Sequence, residues 1–348
     1  MARLTIAEAL REGLREEMAR DERVFCIGED IAIPGGWGGA FTVTLGLDKD
    51  FKDRMINTPI SENGFLGAAC GAALMGMRPI ADVQYGDFLL CAMDQVVSNI
   101  AKLRYMSGGK LKVPMVLRVP TGATGRGAQH AQSLEALFLG IPGIKVVCPA
   151  TAYDAKGLLK AAVRDDNPVL IFEHKLLYGS RGARAETGAV DASSEIPEEE
   201  YVVPIGEAAI RREGTDVTII AGLLMMHRAL IAADQLEKYD ISVEVIDPRS
   251  LVPFDWELVE ASVRKTGRVV TVFEGPQRGG IGSEIAVELV ERTLCRRLTK
   301  RANARLKAAP RRVASPNTPT PFAPIMENYY RPSVDRICEA VRAVMTEG

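Results

Sequence analysis

The chain has 348 residues, long for a single compact core, so two domains are expected. Its apolar and charged fractions, 47% and 25%, are those of an ordinary globular protein, and a formal net charge of -2 supplies no overall basic face of the kind nucleic acid binding needs. No stretch reaches the roughly 18 consecutive apolar residues of a membrane span, and the amphipathic start MARLTIAEALREGLREEMARDERV lacks the uninterrupted apolar run of a secretory signal. A cytoplasmic chain, or the start of a mature one, is the expectation. The cysteines Cys26, Cys70, Cys91, Cys148, Cys295 and Cys338 sit in mostly apolar stretches without CxxC spacing. They read as buried small hydrophobes in a reducing compartment. One local excess of charge, Arg296, Arg297, Lys300, Arg301 and Arg305, reads as a solvated helix face.

Ile6, Ala9, Leu10, Leu14 and Met18 space as one face of a helix, and Val24–Gly28 follows as a short apolar strand. Ser61 is placed to cap a Gly- and Ala-rich helix running from Glu62 to Met75. Next come a strand over Arg78–Tyr85 and one long helix over Phe88–Tyr105. Pro114–Val119, Ile144–Cys148 and Val169–Phe172 are apolar, β-branched runs suited to strands buried on both faces. From Ser180 to Pro204 large apolar residues thin out and turn formers accumulate, the signature of a linker or exposed loop. Strands over Asp216–Ala221, Ser242–Ile246 and Arg268–Phe273 then alternate with helices, the last over Val334–Met345. Such alternation predicts an α/β fold with parallel sheets. The division expected is a first domain over residues 1–190, a linker over 191–204 and a second domain over 205–348.

Several familiar chemistries lack their motifs: GxxxxGK[ST], a GxGxxG after a strand, HExxH and GxSxG are all absent. Three histidines, His130, His174 and His227, are too few to suggest a multi-histidine metal centre. What remains lies just past apolar strands, where open α/β sheets bind ligands. There Met55-Ile56-Asn57 leads through a turn to Ser61-Glu62 at the head of a helix. A first-turn carboxylate that complements the helix dipole explains Glu62 on spacing alone.

The segment TPISENGFLGAACGAALMGMRPI resembles one found in β subunits of the pyruvate, branched-chain and acetoin dehydrogenases. So do DFLLCAMDQVVSNIAKLRYMSGG, GAQHAQSLEALF, PGIKVVCPATAYDAKGLLKAAVRDDNPVLIFEHKLLYG and EVIDPRSLVPFD, in the family's order from about Leu4 to Val344. The resemblance implies a pyrimidine-binding α/β domain of the thiamine diphosphate fold followed by a transketolase C-terminal-like domain used in assembly. It implies that Glu62 bonds the coenzyme's pyrimidine N1′ and favours the imino tautomer, whose neighbouring nitrogen takes the thiazolium proton. That role calls for a carboxyl kept protonatable by apolar surroundings such as Phe65 and Phe88. By the same likeness Phe88 faces the pyrimidine, Gln84 lies on its approach, and His130 helps acyl transfer to a lipoyl group. Ordinary core packing would also explain Phe88. His174 and His227 have no such setting and read as structural or surface residues. Asp165 and Asn167, with the carbonyls of Met115, Ala162 and Val163, match a loop that holds potassium in some relatives; Asp-Asp-Asn-Pro is also an ordinary turn.

Single-chain thiamine enzymes carry GDG and a distal Asn for magnesium and diphosphate. Here Gly28-Glu29-Asp30 stands, and GDG is absent. The resemblance therefore implies an α subunit that holds magnesium and the diphosphate, an α2β2 heterotetramer with β–β contacts through the C-terminal domains, and a lipoyl-bearing acyltransferase as a further partner. Pyruvate is the substrate first expected and acetoin the alternative. A non-catalytic assembly protein is the reading from another class, opposed by Glu62, Phe88 and His130 standing together.

Overall fold

A computed structural model describes residues 2–36, 38–179, 190–298 and 306–347, the side chains of 293–298 excepted. The first part of the chain forms β1 (Ala2–Leu4), α1 (Ile6–Arg20), β2 (Val24–Gly28), α2 (Leu47–Asp50), β3 (Met55–Asn57), α3 (Glu62–Leu74) and β4 (Arg78–Asp82). It continues with α4 (Leu103–Met106), β5 (Val116–Thr121), β6 (Lys145–Val147), α5 (Ala152–Arg164), β7 (Val169–His174) and β8 (Ser194–Ile196). Then follow β9 (Ala209–Arg212), β10 (Val217–Ala221), α6 (Leu224–Glu237), β11 (Val243–Asp247), β12 (Ser250–Val252), α7 (Trp256–Thr266) and β13 (Val269–Pro276). The last elements are α8 (Ile281–Leu298), β14 (Arg311–Ser315), α9 (Pro324–Tyr330) and α10 (Val334–Thr346).

Two compact units result. The first comprises Met1–Ile205 with Leu251–Pro253, the second Gly206–Ser250 with Phe254–Gly348. In the first, seven strands stand in the order β12-β6-β7-β5-β4-β2-β3, and every pairing from β3 to β6 is parallel. Strands β2, β5 and β7 are buried along their whole length, as their unbroken apolar runs require. Helix α1 opens with a capping box between Thr5 and Glu8 and buries the predicted face of Ile6, Ala9, Leu10, Leu14 and Met18. The second unit holds a five-stranded sheet in the order β14-β13-β10-β11-β9, parallel except for the antiparallel edge strand β9.

Four expectations need correction. Ser61 precedes α3 but makes no side-chain cap; a Cβ at Gly64 would stand 2.7 Å from its hydroxyl, so the side chain leans over the first turn. The long helix expected over Phe88–Tyr105 is a tight three-residue winding over Gly86–Ala92, a wide five-residue winding over Asp94–Ile100 and the short α4. The expected linker carries β8, which pairs antiparallel with β1 at the start of the chain. Cys91 is exposed, whereas Cys26, Cys70, Cys148 and Cys338 are buried. The side chains of Cys295, Arg296 and Arg297, and residues Lys300, Arg301 and Arg305, lie outside the description, as do residues 181–189 of the 181–200 stretch.

Candidate active site at the carboxyl edge of the first sheet

Parallel strands end together, so the residues that follow them meet along one edge. Glu29 follows β2, Thr58 follows β3, Gln84 and Tyr85 follow β4, Gly122 follows β5, and Lys175 follows β7. A cleft of about 260 Å3 opens there, lined by Asp30, Ile33, Gly36, Gly39, Ala40, Gln84 and Tyr85. The Gln84 amide donates to the carbonyl oxygen of Glu29, tying the two strand ends together.

Glu62 begins α3 and is half-buried, among the exposed residues Ile60, Ser61, Asn63 and Gly64. Phe65, expected to wall it in, belongs to the core with 5% of its surface exposed. This chain alone therefore leaves Glu62 unenclosed. Its charge is felt nearby: burial, then Asp30, then Glu62 push the Glu29 carboxyl above its ordinary value. Glu29 was not singled out from sequence, although an acidic pair directly after an apolar strand is a readable signal.

Phe88 and His130 meet edge to face, 5.2 Å between centroids, and both press on Tyr85, at 5.5 and 5.3 Å. Tyr85 in turn meets Phe41, which stacks on buried Tyr178 at 4.8 Å. The loop carrying His130 is pinned at both ends. Gln132 accepts at its carbonyl from the Gly122 amide and the Thr121 hydroxyl, and its side-chain amide donates to Asp87 at 2.7 Å. Gly122 has φ +92°, and a Cβ there would stand 2.1 Å from His174 Nε2. His174 is thus a packed structural histidine, its Nδ1 accepting from the Leu176 amide.

Beneath these rings lies a buried charge network. Arg118 donates through Nε and Nη2 to both oxygens of Glu173, at 2.9 and 2.6 Å, and through Nη1 to Asp82 at 2.6 Å. The Tyr178 hydroxyl donates to the same Glu173. Burial opposes the charge on Arg118, but Glu173 and Asp82 outweigh it and keep the guanidinium firmly protonated.

The residues expected to ligate potassium come together at the opposite, amino edge of the sheet, where β4, β5, β6 and β7 begin. They do not form an open oxygen cage. Arg78 Nη1 donates to the carbonyls of Val163 and Asp165, Lys145 pairs with the Asp165 carboxylate, and Arg104 donates to the Asn167 amide oxygen. The carbonyls of Met115 and Ala162 accept from the amides of Val169 and Asp165. Side-chain cations thus engage the oxygens of Val163, Asp165 and Asn167, while backbone amides engage those of Met115 and Ala162.

Comparison with known proteins places this geometry. Residues 2–181 match the family described as "Transketolase, pyrimidine binding domain" and residues 206–337 that described as "Transketolase, C-terminal domain". The chain is 44% identical to the β subunit of the acetoin:2,6-dichlorophenolindophenol oxidoreductase of Cupriavidus necator, covering 100% of this chain and 99% of that one. It is 43% identical to the 2-oxoisovalerate dehydrogenase subunit beta of Bacillus subtilis, covering 98% of both. The pyruvate dehydrogenase E1 component subunit beta of the same organism is 40% identical over 99% of both. The chain belongs to the β subunits of the thiamine diphosphate-dependent 2-oxo acid dehydrogenases. A solved structure titled "Split gene transketolase, inactive beta4 tetramer" superimposes on this β subunit with a TM-score of 0.75 at 25% identity, covering 99% of each.

The β subunit's carboxyl edge fits one end of that coenzyme. It offers a carboxylate at Glu62, aromatic rings at Tyr85 and Phe88, and a polar approach at Gln84. Among the described residues no group of three or more His, Cys, Asp and Glu could hold a metal ion. No described helix is long and apolar enough to cross a membrane.

Proposed function

We propose that this β subunit supplies the pyrimidine half of a thiamine diphosphate site whose metal and diphosphate half comes from an α subunit in an α2β2 heterotetramer. The assembly oxidatively decarboxylates a 2-oxo acid, pyruvate first, and passes the acyl group to a lipoyl-bearing acyltransferase. The observation that carries this reading is Glu62, half-buried at a helix head on the same strand-end edge as Phe88 and His130. Bound coenzyme supplies a nucleophilic thiazolium carbon. The protein's own part is to hold and move protons around it. Glu62 holds a proton at N1′; the helix terminus works against that by roughly 0.3–1 kcal/mol, and enclosure by the partner works for it by a larger margin. Phe88 gives the pyrimidine an aromatic wall, and His130, at the mouth, moves a proton during acyl transfer. For the β–β contact, helix α9 and the short segment before it present Phe322, Ile325, Met326 and Tyr329, between 58% and 81% exposed.

The 44% identity to an acetoin-oxidising relative favours acetoin as a second substrate reading. Parallel assays with pyruvate and acetoin separate the two. The test of the proposal uses the β subunit mixed with a cognate α subunit, thiamine diphosphate, magnesium and pyruvate. Glu62→Ala is expected to lower decarboxylation by about 10²–10⁴-fold, and the isolated chain to bind the coenzyme weakly in titration calorimetry. Undiminished decarboxylation by Glu62→Ala, or tight binding to the β chain alone, overturns it.

A further inference from the structure

Strand β7 runs out through Glu173, His174 and Lys175, three ionisable residues in a row with 1%, 2% and 1% of their surface exposed. Consecutive burial of such groups is costly unless each is engaged. Glu173 closes the Arg118 network, and His174 backs the turn at Gly122. Lys175 is engaged differently. Its ammonium donates to the carbonyl oxygen of His130 and stands 5.0 Å from the centroid of the Tyr85 ring. Tyr85 is itself the ring against which His130 and Phe88 both rest. One cation thus grips the backbone of the histidine and the surface on which its imidazole lies. The His130 amide makes a long bond, 3.4 Å, to the Gly127 carbonyl, and at the ends of the loop Thr121 and Gly122 bond the Gln132 carbonyl.

We propose that Lys175 is a positioning residue for His130, fixing the middle of the 122–132 loop so that the imidazole is presented beside Phe88. This rests on the reading that His130 serves acyl transfer. A compact ammonium with three donors can bond a carbonyl and face a ring from one point.

The test compares Lys175→Met, which keeps the apolar stem and removes the charge, with Lys175→Arg, which keeps a charged donor. Both are prepared as the assembled heterotetramer. Hydrogen exchange read by mass spectrometry should show peptides over 122–132 exchanging at least about tenfold faster in Lys175→Met, with the sheet strands unchanged. Acyl transfer to a lipoyl domain should fall by about 10- to 100-fold, while pyruvate-dependent reduction of 2,6-dichlorophenolindophenol and the KM for pyruvate stay within about threefold. Lys175→Arg should restore both loop protection and transfer. Equal loss in the two assays with faster exchange throughout the unit would show a general packing role and overturn the proposal, as would an unchanged loop. His130→Ala separates the two readings. If it leaves acyl transfer intact, the role of His130 fails and loop exchange alone judges Lys175. If it abolishes transfer while Lys175→Met does not, the Lys175 proposal fails by itself.

Discussion

At Arg118 three buried charges meet: a guanidinium only 2% exposed forks onto Glu173 and reaches Asp82, and Tyr178 shares the same carboxylate. Removing the cation strands two carboxylates in a dry interior. Arg118→Met should therefore cost about 3–5 kcal/mol, since breaking a buried pair leaves uncompensated charge. Urea unfolding followed by circular dichroism measures it; a loss below about 1 kcal/mol would mean the carboxylates simply protonate. Sequence made such residues legible unevenly. Glu62 was found because it heads a helix in a segment that matches a family, and Phe88 and His130 because they lie in matching segments. Tyr85 and Lys175 were not, because their importance comes from neighbours 45 residues apart in sequence, as in the bond from Lys175 to His130. No period or motif encodes that distance.

Among the elements, α1 and α5 are joined by charge as much as by apolar packing. Lys156 and Lys160 of α5, 3% and 1% exposed at their side chains, pair with Glu16, and Lys156 also with Glu12, while Arg164 pairs with Glu17. Burial opposes the charge on Glu16, yet the hydrogen bonds from Lys156 and Lys160 together prevail and hold its carboxyl below the ordinary 4.5. A depressed carboxyl stabilises the fold above its unfolded value and loses that contribution as pH falls through its folded value. The thermal midpoint should therefore drop as pH falls below about 4.5, and Glu16→Gln should flatten that limb. Calorimetric scans across acidic pH check this, and an identical acid limb in the variant would count against it.

Strands β2, β5 and β7 were legible because burial on both faces leaves a continuous apolar run. The winding of 86–106 was not. Buried Leu89, Ala92, Val96 and Ile100 repeat every three or four residues, a stripe that tight, regular and wide turns can all present. Strand β8 was missed because its three residues gain their partner at the far end of the unit's sequence.

Across the whole molecule, large apolar side chains stand in water: Ile60 and Met75 flanking α3 are 76% and 85% exposed, Tyr105 and Met106 88% and 67%, and Ile325 and Tyr329 81% and 78%. Surfaces of that kind are those of a subunit. A charge placed on α9, Ile325→Asp, should lower the apparent mass of the isolated chain in light scattering if that helix makes the β–β contact. An unchanged mass would move the contact elsewhere. The two-domain order was legible at this scale, whereas the position of β12 was not. Ser250–Val252 comes from within the second half of the sequence yet lies beside β6 at the rim of the first sheet. A gene divided after Ile205 would consequently encode a first fragment missing its outermost strand, with β6 left bare as a template for aggregation. The second fragment would carry that strand as a stitch. Complementation between the two halves would amount to re-threading one sheet.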